Sequence, residues 1–276
     1  MPDFHFIFFT FRIPLCNPNS FVFLQPKLYE MMKKVVSVFG YGRFGKLWAD
    51  ILKKDFIVKV YSRRGLKPED VNPGIEITDL AGLHDTDALF YCVAISSLET
   101  VLMETKKFHK TDCVYFDTCS VKVEPARWMK QQLPEMSRII ATHPMFGPDS
   151  YDAAIEKLPM VMCNISATQN EFSYWTDYFN NGKIQVEVMT ADEHDEMVAY
   201  SQGITHYIGR VLADLNLKNT KINTLGYKKI LEIIQQTCND SWQLFCDLQH
   251  FNPYTKKMRK DLHESIEKIY SILNKL

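Results

Sequence analysis

The stretch Lys34-Val35-Val36-Ser37-Val38-Phe39-Gly40-Tyr41-Gly42-Arg43-Phe44-Gly45 constrains the fold more than any other part of this chain. A short apolar, β-branched run stops at Gly40, and a helical pattern of Phe44, Leu47, Trp48, Ile51 and Leu52 begins at once. This reads as strand, tight turn and helix, with glycines at the three positions of a G-x-G-x-x-G fingerprint. Gly40 permits the sharp turn, Gly42 lets a pyrophosphate approach the backbone, and Gly45 lets helix and strand pack closely. The free N–H groups and positive dipole end of the helix then suit phosphates. Tyr41, Arg43 and Phe44 lie in the same loop and are expected to contact the dinucleotide with it. A glycine-rich βα turn without a ligand would carry the same pattern, so the next strand matters.

That strand, Phe56 to Tyr61, ends on Ser62-Arg63-Arg64-Gly65, where a dinucleotide-binding fold meets the adenosine ribose. An acid there would accept hydrogen bonds from both ribose hydroxyls and repel a 2′-phosphate. A small hydroxyl and two guanidiniums suit a phosphate's charge and fork geometry instead. NADP is therefore expected over NAD, with Ser62, Arg63 and Arg64 as its contacts. A solvated basic loop is the alternative.

Ala88 to Val93 reads as a buried strand leading through Ala94-Ile95-Ser96-Ser97 into a helix from about Leu98 to Phe108, and Val93 at its end is a further expected cofactor contact. Val114 to Thr118 is another strand, followed by Cys119-Ser120-Val121-Lys122. Ile139 to Thr142 is a third, running into His143-Pro144-Met145-Phe146-Gly147-Pro148. Met160 to Ile165 and Val186 to Met189 add strand-like runs around a helical pattern near Phe172 to Phe179. Such alternation implies an α/β fold, a Rossmann-type doubly wound parallel sheet, which binds ligands outside the carboxyl ends of its strands. Ser120 and His143 both fall just past strand ends and should face the crevice of the glycine loop. His143 is the leading catalytic candidate, because an imidazole titrates near neutrality and its loop is stiffened by Pro144, Gly147 and Pro148. The Ser120 hydroxyl either hydrogen-bonds the same substrate oxygen or N-caps the helix containing Trp128, with Glu124 in the first turn.

From Asp192 the pattern is helical throughout. Ile204, Tyr207, Ile208, Val211, Leu212 and Leu215 form an apolar stripe, while Asp195, Gln202, His206 and Arg210 fall on another face. Further helices are expected at about Gly226 to Thr237 and Ser241 to His250. Asn252-Pro253 reads as N-cap and first residue of a final helix carrying Tyr254, Met258, Leu262, Ile266, Ile269 and Leu273. Helices this apolar in a short segment struggle to bury their faces alone, so a homodimer through this region is expected. The organisation is then an N-terminal extension over 1–30, an NADP-binding Rossmann domain over 31–190, and an all-helical substrate and dimerisation domain over 191–276.

Composition removes several function classes. A net charge of -1 leaves no electrostatic footprint for nucleic acid. Seven cysteines, scattered and without a C-x-x-C pair, suit free thiols in a reducing cytosol rather than a disulfide framework or a zinc site, and no metal is expected. The phenylalanine-rich run from Phe4 to Cys16 is shorter than the roughly 18–20 apolar residues of a spanning helix. Met1-Pro2-Asp3 lacks the basic start of a signal peptide, and a transit peptide also fits poorly. Residues before Met31 read as a disordered or spuriously translated extension, with a peripheral anchor as the alternative. The protein is expected in the cytoplasm, with no membrane partner.

Four segments occur in the order expected of prephenate and arogenate dehydrogenases: Gly40 to Gly45, Asp117-Thr118-Cys119-Ser120-Val121-Lys122, Thr142 to Pro148, and Glu193-His194-Asp195 through Ser201-Gln202-Gly203-Ile204-Thr205-His206. From roughly Lys33 onward the chain resembles that family, and its last segment with Gly209-Arg210-Val211-Leu212 resembles the plant-type arogenate dehydrogenases. The resemblance implies NADP-dependent oxidative decarboxylation in tyrosine biosynthesis. His143 would polarise or deprotonate the substrate's 4-hydroxyl, Ser120 would hydrogen-bond it, and Gln202 and His206 would line the substrate pocket. Many prephenate-using members carry an arginine on the next helix, where it pairs with the side-chain carboxylate. Here that segment holds lysines, glutamines and then Asp240, whose carboxylate would favour the ammonium of arogenate, unless it simply caps the helix starting at Ser241. A hydroxyacid dehydrogenase of related architecture and a catalytically silent NADP-binding protein are the competing readings.

Overall fold

The computed structural model describes residues 34–151 and 157–276, so the expectation for the N-terminal extension lies outside the described residues. The glycine-rich turn joins β1 (Val35–Phe39) to α1 (Arg43–Leu52), as the change from alternating to helical periodicity requires. There follow β2 (Ile57–Tyr61), β3 (Ile75–Ile77), β4 (Ala88–Tyr91), α2 (Ile95–Thr105), β5 (Val114–Asp117), α3 (Val123–Gln132), β6 (Arg138–Pro144), β7 (Leu158–Asn164), α4 (Gln169–Asn181) and β8 (Ile184–Val188). They build one eight-stranded sheet in the order β3-β2-β1-β4-β5-β6-β7-β8. Every neighbouring pair is parallel except β6 and β7. The chain winds outward in one direction from β1 and in the other from β4, so the crevice of this Rossmann-type fold opens between those two strands.

Strand periodicity explains the two-sided core. Phe90 and Phe116 point to one face, stacked with ring centroids 4.2 Å apart, and bury Trp48 of α1 with Trp175 and Phe179 of α4. Their neighbours Leu89, Tyr91 and Tyr115 point to the other face, against Leu98 and Leu102 of α2 and Trp128 and Met129 of α3. The chain then becomes helical: α5 (Ala191–Val198), a π-helical turn at Ala199–Gly203, α6 (Ile204–Asp214), α7 (Leu225–Asn239), α8 (Trp242–Phe251) and α9 (Thr255–Leu273). Val198 and Leu248 join the second face of the core, and Lys34–Leu276 is one compact body.

Several local expectations are corrected. The helix expected from about Leu98 starts at Ile95, because the Asp247 carboxylate of α8 accepts the Ser96 N–H (3.0 Å) and hydroxyl (2.8 Å). β3 was not expected; it is a three-residue edge strand with an acid at its centre. The final helix begins at Thr255 rather than Pro253, since Asn252 Oδ1 takes the Tyr254 N–H (2.9 Å) in a turn ahead of it. Ser120 does not cap α3; that helix begins at Val123, with Lys122 in the cap position. His143 lies inside β6 rather than beyond it, because antiparallel pairing with β7 carries the strand on to Pro144. Relative to its parallel neighbour it still projects past the edge, as the last β5–β6 pair is Asp117 with Ala141.

Among the described residues no helix is long and apolar enough to cross a membrane, and no cluster of three or more metal-ligating side chains occurs. Cys92, Cys113, Cys119, Cys163, Cys238 and Cys246 are free thiols.

Candidate active site

The glycine loop has the backbone its sequence requires. Gly40 adopts φ +101°, and a Cβ there would sit 2.3 Å from the Cys92 carbonyl oxygen and 3.2 Å from Val93. A Cβ on Gly45 would lie 1.9 Å from the Gly40 carbonyl oxygen, so the helix can approach the strand only without a side chain. At Gly42 a Cβ would meet nothing within 4 Å, which is open space in front of the N-terminus of α1. No side chain caps that helix and no acid stands in its first turn, so its first N–H groups suit an anion. Tyr41 is turned inward, with its hydroxyl accepting the Asn72 N–H at 3.2 Å, so it serves the loop through its backbone. The Phe44 ring stacks on Trp48 at 5.7 Å and touches Phe146 at 6.5 Å, joining the glycine loop to the segment after His143.

Past β2, a turn closed by the Gly65 N–H on the Ser62 carbonyl (3.0 Å) presents Ser62, Arg63 and Arg64 on the surface. Arg63 lies 3.8 Å from Glu104, but with side chains about half exposed (47% and 58%) that pair is weak, and the guanidinium remains open to a phosphate. Uncapped helix, open Gly42 and basic turn together suit the phosphates of a dinucleotide.

His143 stands at the head of a buried chain of hydrogen bonds. Its Nδ1 lies 2.9 Å from His194 Nε2, and His194 Nδ1 lies 2.8 Å from Asp195 Oδ1. Asp195 Oδ1 also accepts the Lys122 N–H (2.7 Å) and Oδ2 the Val123 N–H (2.9 Å), so this carboxylate holds the start of α3 in place of a local cap. As an acceptor it keeps the His194 proton on Nδ1. His194 Nε2 then accepts from His143 Nδ1–H, and His143 Nε2 is left with a lone pair and no partner among the described residues. Burial, then His194 and Lys122, hold His143 well below the ordinary imidazole value; burial likewise lowers His194, against the opposing pull of Asp195. The pair is neutral, as a proton acceptor requires.

A buried ion pair fixes the backbone beside this chain. The fully buried Lys122 ammonium donates to the Asp117 carboxylate and to the Thr142 carbonyl oxygen, while Asp117 accepts the Cys119 N–H (3.0 Å) and Thr142 N–H (3.3 Å). Both polar groups of the Thr142 peptide are thereby held, directly before His143. Ser120, on the turn between Asp117 and Lys122, is half-buried, and its hydroxyl has no partner among the described residues. It sits at the same sheet edge as His143.

His206, Arg210 and Asp240 form a second cluster, one helix further on, and Gln202 stands one turn before His206. The π-helical turn breaks the register expected for one stripe: Asp195 faces α3, whereas His206 and Arg210 look toward the end of α7 and the start of α8. Gln202 Oε1, His206 Nδ1 and Arg210 Nε are buried without partners. His206 Nε2 lies 3.8 Å from the Asp240 carboxylate, which is 40% exposed. Ser241, not Asp240, caps α8, its Oγ accepting the Leu244 N–H at 3.1 Å, so the Asp240 carboxylate is not engaged as a cap. A cavity of about 400 Å³ lined by Tyr174, Tyr178 and Lys183 lies at the opposite, amino-terminal edge of the strands and shares no residue with either cluster.

The roles of His194, Asp195, Lys122 and Asp117 were not expected from sequence. The only local signal was Glu193-His194-Asp195, in which adjacent imidazole and carboxylate recur at the start of a helix.

Two family models match the chain. The nucleotide-binding domain of prephenate dehydrogenase covers residues 63–188, and the C-terminal domain of TYRAAT1-like proteins covers residues 211–275. Over 85% of its length the chain is 31% identical to arogenate dehydrogenase 1, chloroplastic, of Arabidopsis thaliana and 28% identical to arogenate dehydrogenase 2, chloroplastic, of the same plant. It spans 38% of the first and 68% of the second. A probable arogenate/prephenate dehydrogenase of Methanocaldococcus jannaschii is 26% identical, with 55% of its length spanned. Among solved structures, prephenate dehydrogenase from A. aeolicus, in complex with hydroxyphenyl propionate and NAD+, superposes with a TM-score of 0.69 over 88% of this chain and 91% of that one, at 15% identity. Synechocystis arogenate dehydrogenase gives 0.65 over 87% and 92%, at 16% identity. These two show a shared fold.

Proposed function

The chain belongs to the prephenate and arogenate dehydrogenase family, and on that premise we propose that it catalyses the NADP-dependent oxidative decarboxylation of arogenate, with prephenate as the lesser substrate. The observation that carries this reading is the buried Asp195–His194–His143 chain, which ends in a free lone pair at the carboxyl edge of the sheet.

A bound nicotinamide dinucleotide supplies the hydride acceptor. The Gly40–Gly45 turn and the uncapped start of α1 would hold its phosphates, Ser62, Arg63 and Arg64 would hold its 2′-phosphate, and Val93 flanks the same turn. His143 Nε2 accepts the proton of the substrate's 4-hydroxyl as that ring carbon gives up hydride, with the Ser120 hydroxyl hydrogen-bonded to the same oxygen. Positive charge growing on the histidine pair is offset by Asp195. The ring carboxylate departs as CO2, its electrons complete the aromatic ring, and the proton returns from His143 to the phenolic oxygen. Hydride and CO2 together balance an ionised substrate without net proton release. Aromatisation drives the reaction forward, so the main demand on the protein is alignment.

Gln202 and His206 line the far end of the substrate pocket, and Asp240 selects the ammonium of arogenate over the keto group of prephenate. We assign 31–190 to cofactor binding and 191–276 to substrate binding and dimerisation. The apolar, exposed Ile266, Ile269, Tyr270 and Leu273 of α9 support a homodimer through that region. The free thiols accord with a reducing compartment such as the cytoplasm.

The test is direct. Purified protein with NADP and arogenate, or prephenate, should raise the nicotinamide absorbance; no reduction with either substrate across neutral and alkaline pH would sink the proposal. Changing Ser62 and Arg63 together, Ser62→Asp with Arg63→Ala, should reverse the preference between NADP and NAD. An unchanged ratio refutes the 2′-phosphate assignment.

A further inference from the structure

Asp240 has an unexpected neighbour. Arg210 reaches from α6 to the end of α7, where its Nη2 donates to the Thr237 carbonyl (3.0 Å) and to the carbonyl of Asp240 itself (2.6 Å). The guanidinium lies over the rings of Trp242 (5.4 Å) and Phe245 (5.7 Å), which fix its plane. Yet among the described residues no ion pair joins this guanidinium to the Asp240 carboxylate, although the two residues touch. The aromatic walls and the carbonyls hold the cation aside. Among the described residues its Nη1 carries no hydrogen bond and the Asp240 carboxylate faces only His206, at 3.8 Å.

His206 is 94% buried with an unpartnered Nδ1, and it feels both charges: after burial, Asp240 acts to raise its pKa and Arg210 to lower it. A fixed anion and a fixed cation therefore flank one buried imidazole without neutralising each other. A ligand bearing one charge of each sign on a single carbon completes such an arrangement, because each end meets its opposite through a charge-assisted hydrogen bond. That ligand chemistry is an α-amino acid head group.

We propose that Arg210 binds the side-chain carboxylate of the substrate through Nη1 while Asp240 binds its ammonium, the two forming a zwitterion clamp beside His206. This rests on the arogenate reading of the same site. It supplies from α6 the cation that was sought, and not found, on α7. Discrimination between an amino acid and a keto acid then depends on both residues, and Arg210 is a specificity-determining residue.

Calorimetric titration of the protein with NADP present, using three ligands, tests the proposal. L-tyrosine carries both charges, tyramine lacks the carboxylate, and 3-(4-hydroxyphenyl)propionate lacks the ammonium. Arg210→Gln should weaken tyrosine and hydroxyphenylpropionate by roughly 10–100-fold, the worth of a charge-assisted hydrogen bond, and leave tyramine within about threefold. Asp240→Asn should weaken tyrosine and tyramine and spare hydroxyphenylpropionate. In turnover, Arg210→Gln should raise the KM for arogenate far more than it lowers kcat. Should the Gln variant fail to fold for want of its donor to α7, Arg210→Lys keeps a cation and one such donor, and it too should weaken tyrosine while sparing tyramine. Equal weakening of all three ligands by either variant would make Arg210 a purely structural prop and overturn the clamp with the dehydrogenase reading intact. A wild-type protein that binds none of the three removes the dehydrogenase reading and the clamp with it.

Discussion

Replacing Asp195 by Asn separates a relay from a helix cap. The carboxylate accepts three hydrogen bonds: His194 Nδ1 at 2.8 Å and the Lys122 N–H at 2.7 Å on Oδ1, and the Val123 N–H at 2.9 Å on Oδ2. An amide has one acceptor oxygen and one donor nitrogen, so one backbone N–H must face an NH2 group in either orientation. In a fully buried site that costs about 1–3 kcal/mol of stability. The two orientations differ in chemistry. With oxygen at the Oδ1 position His194 keeps its proton on Nδ1, and only the charge is lost. With nitrogen there, His194 Nδ1 becomes an acceptor, its Nε2–H points at His143 Nδ1, and the His143 proton moves to Nε2, where the base is needed.

Loss of the charge alone removes a charge-assisted hydrogen bond to the developing imidazolium, about 1.5–3 kcal/mol, or roughly 10–150-fold in kcat. The wrong tautomer carries the loss toward the ~10⁴ seen for the same exchange in a serine-protease triad. The expected result is a kcat for arogenate reduced by between roughly 10-fold and 10⁴-fold, a thermal midpoint lowered by a few degrees, and NADP affinity unchanged. Initial rates at saturating substrate, thermal unfolding and cofactor titration on one preparation measure all three. A variant with the lowered midpoint but kcat within threefold of the parent would refute the relay and leave Asp195 as a cap for α3.

Four further outcomes follow from the geometry. Gly42→Ala should leave the thermal midpoint unchanged, because its Cβ meets open space, yet weaken NADP in a binding titration; Gly45→Ala, with a Cβ 1.9 Å from the Gly40 carbonyl oxygen, should lower the midpoint as well. Lys122→Met leaves the Asp117 carboxylate buried and unpaired, so urea unfolding should show a loss of about 3–5 kcal/mol, and any folded fraction should lose activity on acidification at a higher pH than the parent. Because burial holds the neutral form of His143, kcat/KM should stay level as pH falls through 6.5 and decline only below it; a midpoint at or above 6.5 contradicts that. Burial, then His84, bring His109 down to about 4; its folded value lies below its unfolded one, so its contribution to stability is intact above about pH 6.5 and is lost as pH falls from there toward 4, which urea midpoints at pH 7.5 and 5 will detect.

The parts of this molecule legible in its sequence are those whose causes are local. The glycine loop could be read because Gly40 needs its φ, Gly45 its close approach and Gly42 its open space within six residues, and the two-faced core because Leu89-Phe90-Tyr91 and Tyr115-Phe116 alternate along their strands. What stayed hidden depends on partners far along the chain. Ser120 looked like a possible cap for α3 because nothing nearby reveals that Asp195, 73 positions from Lys122, holds that helix instead. α2 begins early because Asp247, 151 positions from Ser96, takes its first free amide and hydroxyl. Both acids come from the helical part and engage helices of the sheet at the edge where cofactor and substrate would meet. Docking that part therefore completes the N-termini of α2 and α3 in the same step that sets the His194 tautomer. The hydrogen-bonded chain from Asp195 through His194 to His143 is thus finished only when the helices are seated, which ties formation of the candidate site to formation of the fold.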